Sequence, residues 1–149
     1  RVSVNAAIGL GDEKQVFAHA KKAIQNGYST LKLKVGADFD HEYQLLKSLR
    51  EYYPGIKIRI DANQAWGVQE ALENLKKLEP LNIEYCEQPL KVGMDDETTW
   101  LKKNTSQFIA ADESIRSYED ARKLIEQDVV DILVLKPTLI GTIEDYFFI

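Results

Sequence analysis

The sequence predicts a parallel α/β fold of the (β/α) barrel type, in which strands and helices alternate along the chain. Three observations support this fold class: six strand-like runs are each followed by a helix-like run, the strands end in charged residues, and these residues recur at nearly constant spacing. The spacing is 27 residues from Lys34 to Asp61, 26 to Glu87, 25 to Asp112 and 24 to Lys136. An open doubly wound sheet would spread these strand ends along a line, whereas a barrel brings them to one mouth. We therefore expect a TIM-type barrel, incomplete at about six strands.

The elements follow one another without a linker or a low-complexity segment. Apolar residues alternate in the strands, and they recur every three or four residues in the helices. Strand and helix units of this kind require right-handed crossovers between parallel strands. The predicted strands cover 2–8, 30–35, 56–62, 83–89, 108–114 and 131–137, and the predicted helices cover 13–27, 40–53, 68–78, 96–104 and 118–128, with one more helix opening after residue 136.

Apolar stripes and end signals justify the individual helices. Each stripe follows the spacing of one helix face, as expected for helices that pack on a sheet. Ser117 followed by Asp120 resembles a capping box at the start of the fifth helix. The stripe of the first helix contains Val16, Phe17, Ala20, Ala23 and Ile24, and that of the third contains Ala71, Leu72, Leu75 and Leu78.

The second strand, "TLKLKV", directs two lysines to the same side. Lys32 and Lys34 alternate with Leu31, Leu33 and Val35, so the lysines share one face and the apolar residues share the other. A solvent-exposed sheet face explains this pattern as well as a functional site does. The third strand, "IKIRIDAN", repeats the same arrangement, which favours the barrel mouth.

Composition restricts the partners. The chain has 149 residues, 44% of them hydrophobic, and a formal charge of −5. This acidic balance, with dispersed lysines, gives no footprint for nucleic acid or an anionic membrane surface. Neither a bilayer-spanning run nor the apolar core of a signal peptide is evident, so we expect a cytoplasmic protein without membrane partners. The single Cys86 is expected to be a buried structural thiol.

Three carboxylates on successive strand ends require compensation. Asp61, Glu87 and Asp112 would repel one another, and desolvating such ions costs several kcal/mol each. A divalent cation compensates for this charge, and oxygen-only ligands suit Mg²⁺ better than Zn²⁺. An ion-pair network in which Lys34 and Lys136 neutralise the acids is the structural alternative.

The lysines then acquire a chemical role. A second cation on the same face disfavours the charged form of a lysine, which makes Lys34 a possible general base with Lys32 as its electrostatic neighbour. Lys136 would approach from the opposite side of the mouth. Lysines around a metal and carboxylate centre suit removal of a proton next to a substrate carboxylate.

Short motifs on five strands carry a family resemblance. "KLK" on the second strand, "DAN" on the third, "EQP" on the fourth, "ADES" on the fifth and Lys136 on the sixth resemble the enolase superfamily, in its muconate lactonizing enzyme subgroup. Within that subgroup, "VNAAIG" and "LVLKPTLIG" are most similar to the o-succinylbenzoate synthases.

The resemblance implies roles for individual residues. It makes Asp61, Glu87 and Asp112 ligands of Mg²⁺, Lys34 the base, and Lys136 the cation that faces the deprotonated substrate. The remaining assigned residues are expected to support the site without reacting: Lys32 as the neighbour of the base, and Asn63 and Glu113 as supporting residues.

The resemblance also implies an activity. The expected reaction is the loss of water from 2-succinyl-6-hydroxy-2,4-cyclohexadiene-1-carboxylate, a step of menaquinone biosynthesis. Epimerisation of a dipeptide and racemisation of an N-acylamino acid are the alternatives within the superfamily. An inactive barrel fragment that binds metal or assembles with itself is the alternative from another class.

The length of the chain implies an incomplete unit. The family's barrel has further strands and a capping domain, so residues 1–149 are expected to form one partial catalytic barrel. The partner of such a site is a small-molecule carboxylate. Open edges on the first and sixth strands would permit self-association.

Overall fold

The structure is a computed structural model that describes residues 4–9, 11–140 and 142–149. Within these residues six strands alternate with helices along the chain. The strands are β1 (Ala6–Ile8), β2 (Thr30–Lys34), β3 (Lys57–Asp61), β4 (Cys86–Glu87), β5 (Ile109–Ala111) and β6 (Ile132–Leu133). The α-helices are α1 (Glu13–Gln25), α2 (Phe39–Tyr52), α3 (Val68–Leu78), α4 (Asp95–Asn104), α5 (Tyr118–Glu126), α6 (Pro137–Ile140) and α7 (Ile143–Phe148), and a 3₁₀ helix covers Glu79–Leu81.

The strands form one parallel sheet whose order follows the chain, β1-β2-β3-β4-β5-β6. A doubly wound sheet reverses direction at a switch point, and this sheet has none between β1 and β6. Crossovers between parallel strands are right-handed as a rule, and right-handed crossovers that each move one strand further lay their helices on the same face of a sheet. The predicted fold class, an open portion of a (β/α) barrel, is confirmed.

The alternation in β2 and β3 determines which face each side chain occupies. Leu31 and Leu33 are almost fully buried, as are Ile58 and Ile60 of the neighbouring strand. Lys32 and the other charged residues of β2 and β3 point to the opposite face of the sheet. The apolar face of each strand therefore packs under the helices, and the charged face is the inner face of the barrel.

Helix stripes cover the apolar face as predicted. In α1 the buried positions are Val16, Ala20 and Ala23, and the Asp12 carboxylate caps the first turn by accepting from the Gln15 N–H at 2.8 Å. The stripe of α3 is buried in the same way. Cys86 is fully buried on β4 and has no disulfide partner, which agrees with its predicted structural role. Burial of such side chains is the main favourable term in folding.

The strands are shorter than predicted. The first expected strand, 2–8, is observed as Ala6–Ile8, and its residues 2 and 3 lie outside the described part of the chain. The fourth strand keeps only its central pair, although Glu84 N–H still donates to Ile58 O at 2.7 Å and Ala62 N–H donates to Glu87 O at 3.0 Å. The backbone hydrogen bonds between the third and fourth strand segments thus continue past both ends of the regular pairing.

The loop between β2 and α2 is held from two sides. The buried Glu42 carboxylate accepts the N–H groups of Gly36, Ala37 and Asp38 at 2.8, 2.9 and 3.2 Å. Gly36 has a φ of 111°, and a Cβ added there would lie 2.4 Å from the Ala65 Cβ in the loop after β3. The loops after β2 and β3 therefore pack closely against each other at Gly36.

No helix in the described ranges is both long enough and apolar enough to cross a bilayer.

Replacing Gly36 with Ala should destabilise the protein by about 2 kcal/mol or more, because the new Cβ meets Ala65 and the left-handed backbone is strained for an L side chain. Gly55→Ala is the matched control, since a Cβ at Gly55 meets no atom within 4 Å. Urea denaturation measures both changes. Equal stability of the two variants would contradict the loop contact.

Candidate active site

The carboxyl ends of β2, β3 and β4 carry a row of charged side chains. Strand pairing places Lys34 opposite Asp61, and Asp61 opposite Glu87. The Cα atoms of these three residues therefore lie side by side at one edge of the sheet. The structure thus brings Lys34, Asp61 and Glu87 together at the strand ends, in the same order as in the sequence.

Asp112 and Lys136 extend the row on β5 and β6. Asp112 follows the last residue of β5, and the Lys136 Nζ lies 2.6 and 2.8 Å from its two carboxylate oxygens. The sequence pattern places Lys136 at the end of the sixth strand, but β6 stops at Leu133 and Lys136 lies in the connection to α6. Its side chain nevertheless reaches Asp112.

Lys32 lies one step deeper than Lys34 and contacts two carboxylates. Its Nζ is 2.5 Å from Glu87 Oε1 and 3.1 Å from Asp61 Oδ2. Burial lowers the pKa of Lys32, but the hydrogen bonds and charges of Glu87 and Asp61 outweigh burial and leave its pKa above the ordinary value. Lys32 is therefore a permanent cation next to the two acids.

Lys34 lies at the open side of the row, with 44% of its side chain exposed. Its Nζ is 3.1 Å from Asp61 Oδ2 and also donates to Asn63 Oδ1. The Asn63 amide donates in turn to Glu113 Oε1 at 2.9 Å. Asn63 and Glu113, which were expected to support the site, thus form a chain of contacts that ends on the predicted base.

Asp61 is held as a carboxylate. Burial raises its pKa, but hydrogen bonds from Lys32 and Lys34 and the backbone N–H of Asn63 outweigh burial and bring the pKa below its ordinary value. The Asn63 N–H donates to Asp61 Oδ1 at 3.1 Å, and Asn63 has a φ of 42°. A strained loop residue therefore fixes the orientation of this acid.

Glu87 is in the opposite situation. It is completely buried, and burial raises its pKa to about 7 despite the ammonium of Lys32. The negative charges of Asp61 and Asp112 act in the same direction as burial. One ammonium does not offset both burial and two flanking carboxylates, so Glu87 holds a proton more readily than an exposed glutamate does.

The carboxylate oxygens of the row are the type of donor atom that binds a hard cation. Among the described residues, Glu87 Oε2 and Asp112 Oδ1 are buried without a hydrogen-bond partner, although the Lys136 Nζ lies 2.6 Å from the latter. Carboxylate oxygens are the ligands that Mg²⁺ prefers. As the side chains stand, no three acidic, imidazole or thiol groups in the described ranges are clustered for a metal, and each acid is paired with a lysine instead.

Gln88 is a residue of the site that the sequence analysis did not single out. It belongs to the "EQP" motif, directly after Glu87, and its side chain hydrogen-bonds to the backbone of Asp112 and Ser114. Its position beside a predicted ligand was visible in the sequence, but its bonding partners come from the next strand along the sheet.

The chain matches a protein-family model described as "Enolase C-terminal domain-like" over residues 15–147. It is 30% identical to L-Ala-D/L-Glu epimerase of Francisella tularensis subsp. novicida, which aligns with 91% of this chain and 39% of its own length. It is 32% identical to o-succinylbenzoate synthase of Desulfotalea psychrophila, with 95% of this chain and 40% of that protein covered.

A solved structure shows the same fold. Dipeptide epimerase from Cytophaga hutchinsonii, crystallised with Mg and the dipeptide D-Ala-L-Val, superposes with a TM-score of 0.90 at 29% identity, over 98% of this chain and 40% of that chain. The present chain therefore spans about two fifths of the length of these proteins.

In metal-free protein, stability should fall as the pH rises from 5 to 8. The Glu87 carboxyl titrates near its ordinary value of 4.5 when unfolded and at about 7 when folded. Between these two pH values the folded state binds one more proton than the unfolded state, so the free energy of unfolding falls as the pH rises. The loss reaches up to about 3 kcal/mol and is complete above pH 7. Glu87→Gln should remove this slope in urea titrations with EDTA.

Glu84→Gln is the matched control for this pH dependence. Burial raises the pKa of Glu84, but Arg59 and Lys57 outweigh burial and hold it below the ordinary value, so Glu84 titrates below this pH range. The control should keep the slope of the unmodified protein. A slope that persists in Glu87→Gln would contradict the assignment to Glu87.

Proposed function

Because this chain belongs to the enolase C-terminal domain-like family, we propose that it carries the catalytic row of a Mg²⁺-dependent enzyme that removes a proton next to a substrate carboxylate. The observation that supports this proposal most is the placing of three buried acids and three lysines at one edge of the sheet. The specific reaction that we propose is the dehydration that forms o-succinylbenzoate.

The proposed ligands are Asp61, Glu87 and Asp112. Mg²⁺ bound there would supply positive charge to stabilise the substrate carboxylate as its neighbouring proton leaves. Lys32 contacts both Asp61 and Glu87, and Lys136 contacts Asp112, so an ammonium group lies against each of the proposed ligands. We propose that, when Mg²⁺ binds, these lysines give up some of their contacts with the carboxylate oxygens and their ammonium groups move toward the substrate.

Lys34 is the proposed base. It is more exposed than Lys32, at 44% against 19% of the side chain, and it lies at the outer end of β2, where a substrate carboxylate can approach. Asn63 orients the Lys34 Nζ through its amide oxygen. A lysine that serves as a base accepts the substrate proton on its Nζ, and the Lys34 Nζ lies 3.1 Å from Asp61, one of the proposed metal ligands.

Lys136 is the proposed second cation. It reaches the row from β6, whereas Lys34 reaches it from β2, so the two ammonium groups flank the acids from different strands. In a dehydration Lys136 stabilises the negative charge that develops on the substrate. The 32% identity to o-succinylbenzoate synthase and the "LVLKPTLIG" segment support this choice of reaction.

Epimerisation of a dipeptide is the second candidate function. The relatives include L-Ala-D/L-Glu epimerase at 30% identity, and a similar solved structure contains a dipeptide. Epimerisation requires Lys34 and Lys136 to exchange protons on opposite faces of one carbon, and their positions on β2 and beyond β6 are compatible with that role. N-Acylamino acid racemisation would use the same pair.

The test is an assay of the full-length protein with the cyclohexadiene carboxylate and with an L-Ala-L-Glu dipeptide. We expect Mg²⁺-dependent dehydration, measured by the absorbance of the aromatic product, and its loss after EDTA treatment with recovery on adding Mg²⁺. Dipeptide epimerisation without dehydration would establish the second candidate. Absence of Mg²⁺-dependent turnover with either compound would favour a barrel that binds metal or self-assembles.

Lysine variants test the proposed roles. Lys34→Ala should lower kcat/KM by about 10²- to 10⁴-fold, since general base catalysis contributes that much. Lys136→Ala should lower it by about 10²- to 10³-fold through loss of charge stabilisation. Lys32→Ala should lower kcat/KM as well, because Asp61 and Glu87 lose the ammonium group that contacts both of them.

Lys57→Ala is the matched control for the lysine variants. Lys57 lies at the first position of β3, 63% exposed, and pairs with Glu84 away from the row, so its loss should leave kcat/KM and the pH profile unchanged. An active Lys34→Ala enzyme with an unaltered pH profile of kcat/KM would contradict the proposed roles. It would favour the alternative in which both lysines of β2 only occupy a solvent-exposed face of the sheet.

A further inference from the structure

We propose that Gln88 is a positioning residue that sets the distance between the Glu87 and Asp112 carboxylates before a metal binds. This inference rests on the proposed function, because it concerns the acids that we assign to Mg²⁺. Within the described ranges, the Gln88 side chain makes no hydrogen bond to a carboxylate oxygen. It acts instead through the backbone of the loops that carry the acids.

The Gln88 side chain is fully bonded. Its Oε1 accepts the N–H groups of Asp112 and Ser114 at 3.0 and 3.1 Å, and its Nε2 donates to Leu90 O at 3.0 Å and Ser114 Oγ at 2.9 Å. A glutamine amide offers two donors and two acceptor positions, so all four are used. The bonds fix which end of the amide faces Asp112, because a reversed amide would place its NH₂ against two N–H donors.

The Gln88 backbone connects the loops on both sides. Its N–H donates to Ala110 O in β5 at 2.8 Å, and its carbonyl accepts the Gln64 N–H at 2.7 Å in the loop after β3. Gln88 therefore bonds to the segments that carry Asp61, on one side, and Asp112, on the other. Since Gln88 directly follows Glu87, one residue links the backbones of all three proposed ligands.

Burial and strain indicate that this arrangement is specific. Gln88 is 5% exposed, and its φ is 40°, a conformation that non-glycine residues rarely adopt. A strained backbone persists only where surrounding contacts determine it, and such positions cluster at functional sites. Hydrogen-bonded neighbours that orient metal ligands commonly change metal affinity by 10- to 100-fold when they are replaced.

The test replaces Gln88 with Met, which keeps the length of the side chain but removes its hydrogen bonds. In the full-length protein, we expect the Kd for Mg²⁺ alone, measured by calorimetry, to rise at least about 10-fold. Amide hydrogen exchange at Asp112 and Ser114 should become faster in the metal-free protein. Excess Mg²⁺ should restore most of kcat, because Gln88 does not contact the reacting groups.

Gln107→Met is the matched control. Gln107 is also buried, but its Nε2 donates to Ile83 O at 2.8 Å, before β4 and away from the acids. This variant should lose stability without changing the Kd for Mg²⁺. Stability of both variants, measured by urea denaturation, separates a general loss of folding from a change at the acids.

Three results would overturn the inference. A folded Gln88→Met protein that binds Mg²⁺ as tightly as the unmodified protein would reduce Gln88 to a structural role and leave the proposed function intact. Unprotected amides at Asp112 and Ser114 in the unmodified metal-free protein would show that no preformed link exists, even if Gln88→Met fails to fold. Failure of the unmodified protein to bind Mg²⁺ would overturn the proposed function and the inference together.

Discussion

The burial of three carboxylates at one edge of the sheet is the constraint on which the rest of the site depends. Asp61, Glu87 and Asp112 are each at most 5% exposed, and buried like charges on neighbouring strands cannot all remain ionised without compensation. Three lysines supply part of it, and the raised pKa of Glu87 shows that they do not supply all of it. A divalent cation would complete the balance, which connects the electrostatics of the fold to the proposed chemistry.

The loops around the acids are shaped by the same constraint. Asn63, Gln64 and Gln88 all have positive φ values, and each takes part in hydrogen bonds between the loops after β3, β4 and β5. The loops are therefore tied to one another and not only to their own strands. Hydrogen bonds between these loops stabilise the positive φ values. The positions of the acids are therefore determined by a network of hydrogen bonds and not by single side chains.

The sequence predicted the parts of this structure that depend on local pattern. Alternation in β2 placed Lys32 and Lys34 on the inner face, and regular spacing aligned Asp61 with Glu87, because one strand and one helix repeat along the chain. Contacts between distant residues could not be predicted in the same way. The four bonds of Gln88 depend on a strained backbone and on a neighbouring loop, and neither has a signature in a single sequence.

The sequential order of the sheet has a consequence for how the charged row is assembled as the chain is synthesised. Each parallel pairing closes a connection of only one strand and one helix, so every unit can dock on its predecessor as it emerges. Lys32 and Lys34 emerge before Asp61 and Glu87, and both cations are thus available when those acids leave water. Asp112 emerges before its partner Lys136, so this ion pair forms only after the sixth strand has been synthesised. The last unit of the described sheet therefore supplies the ammonium group that pairs with Asp112.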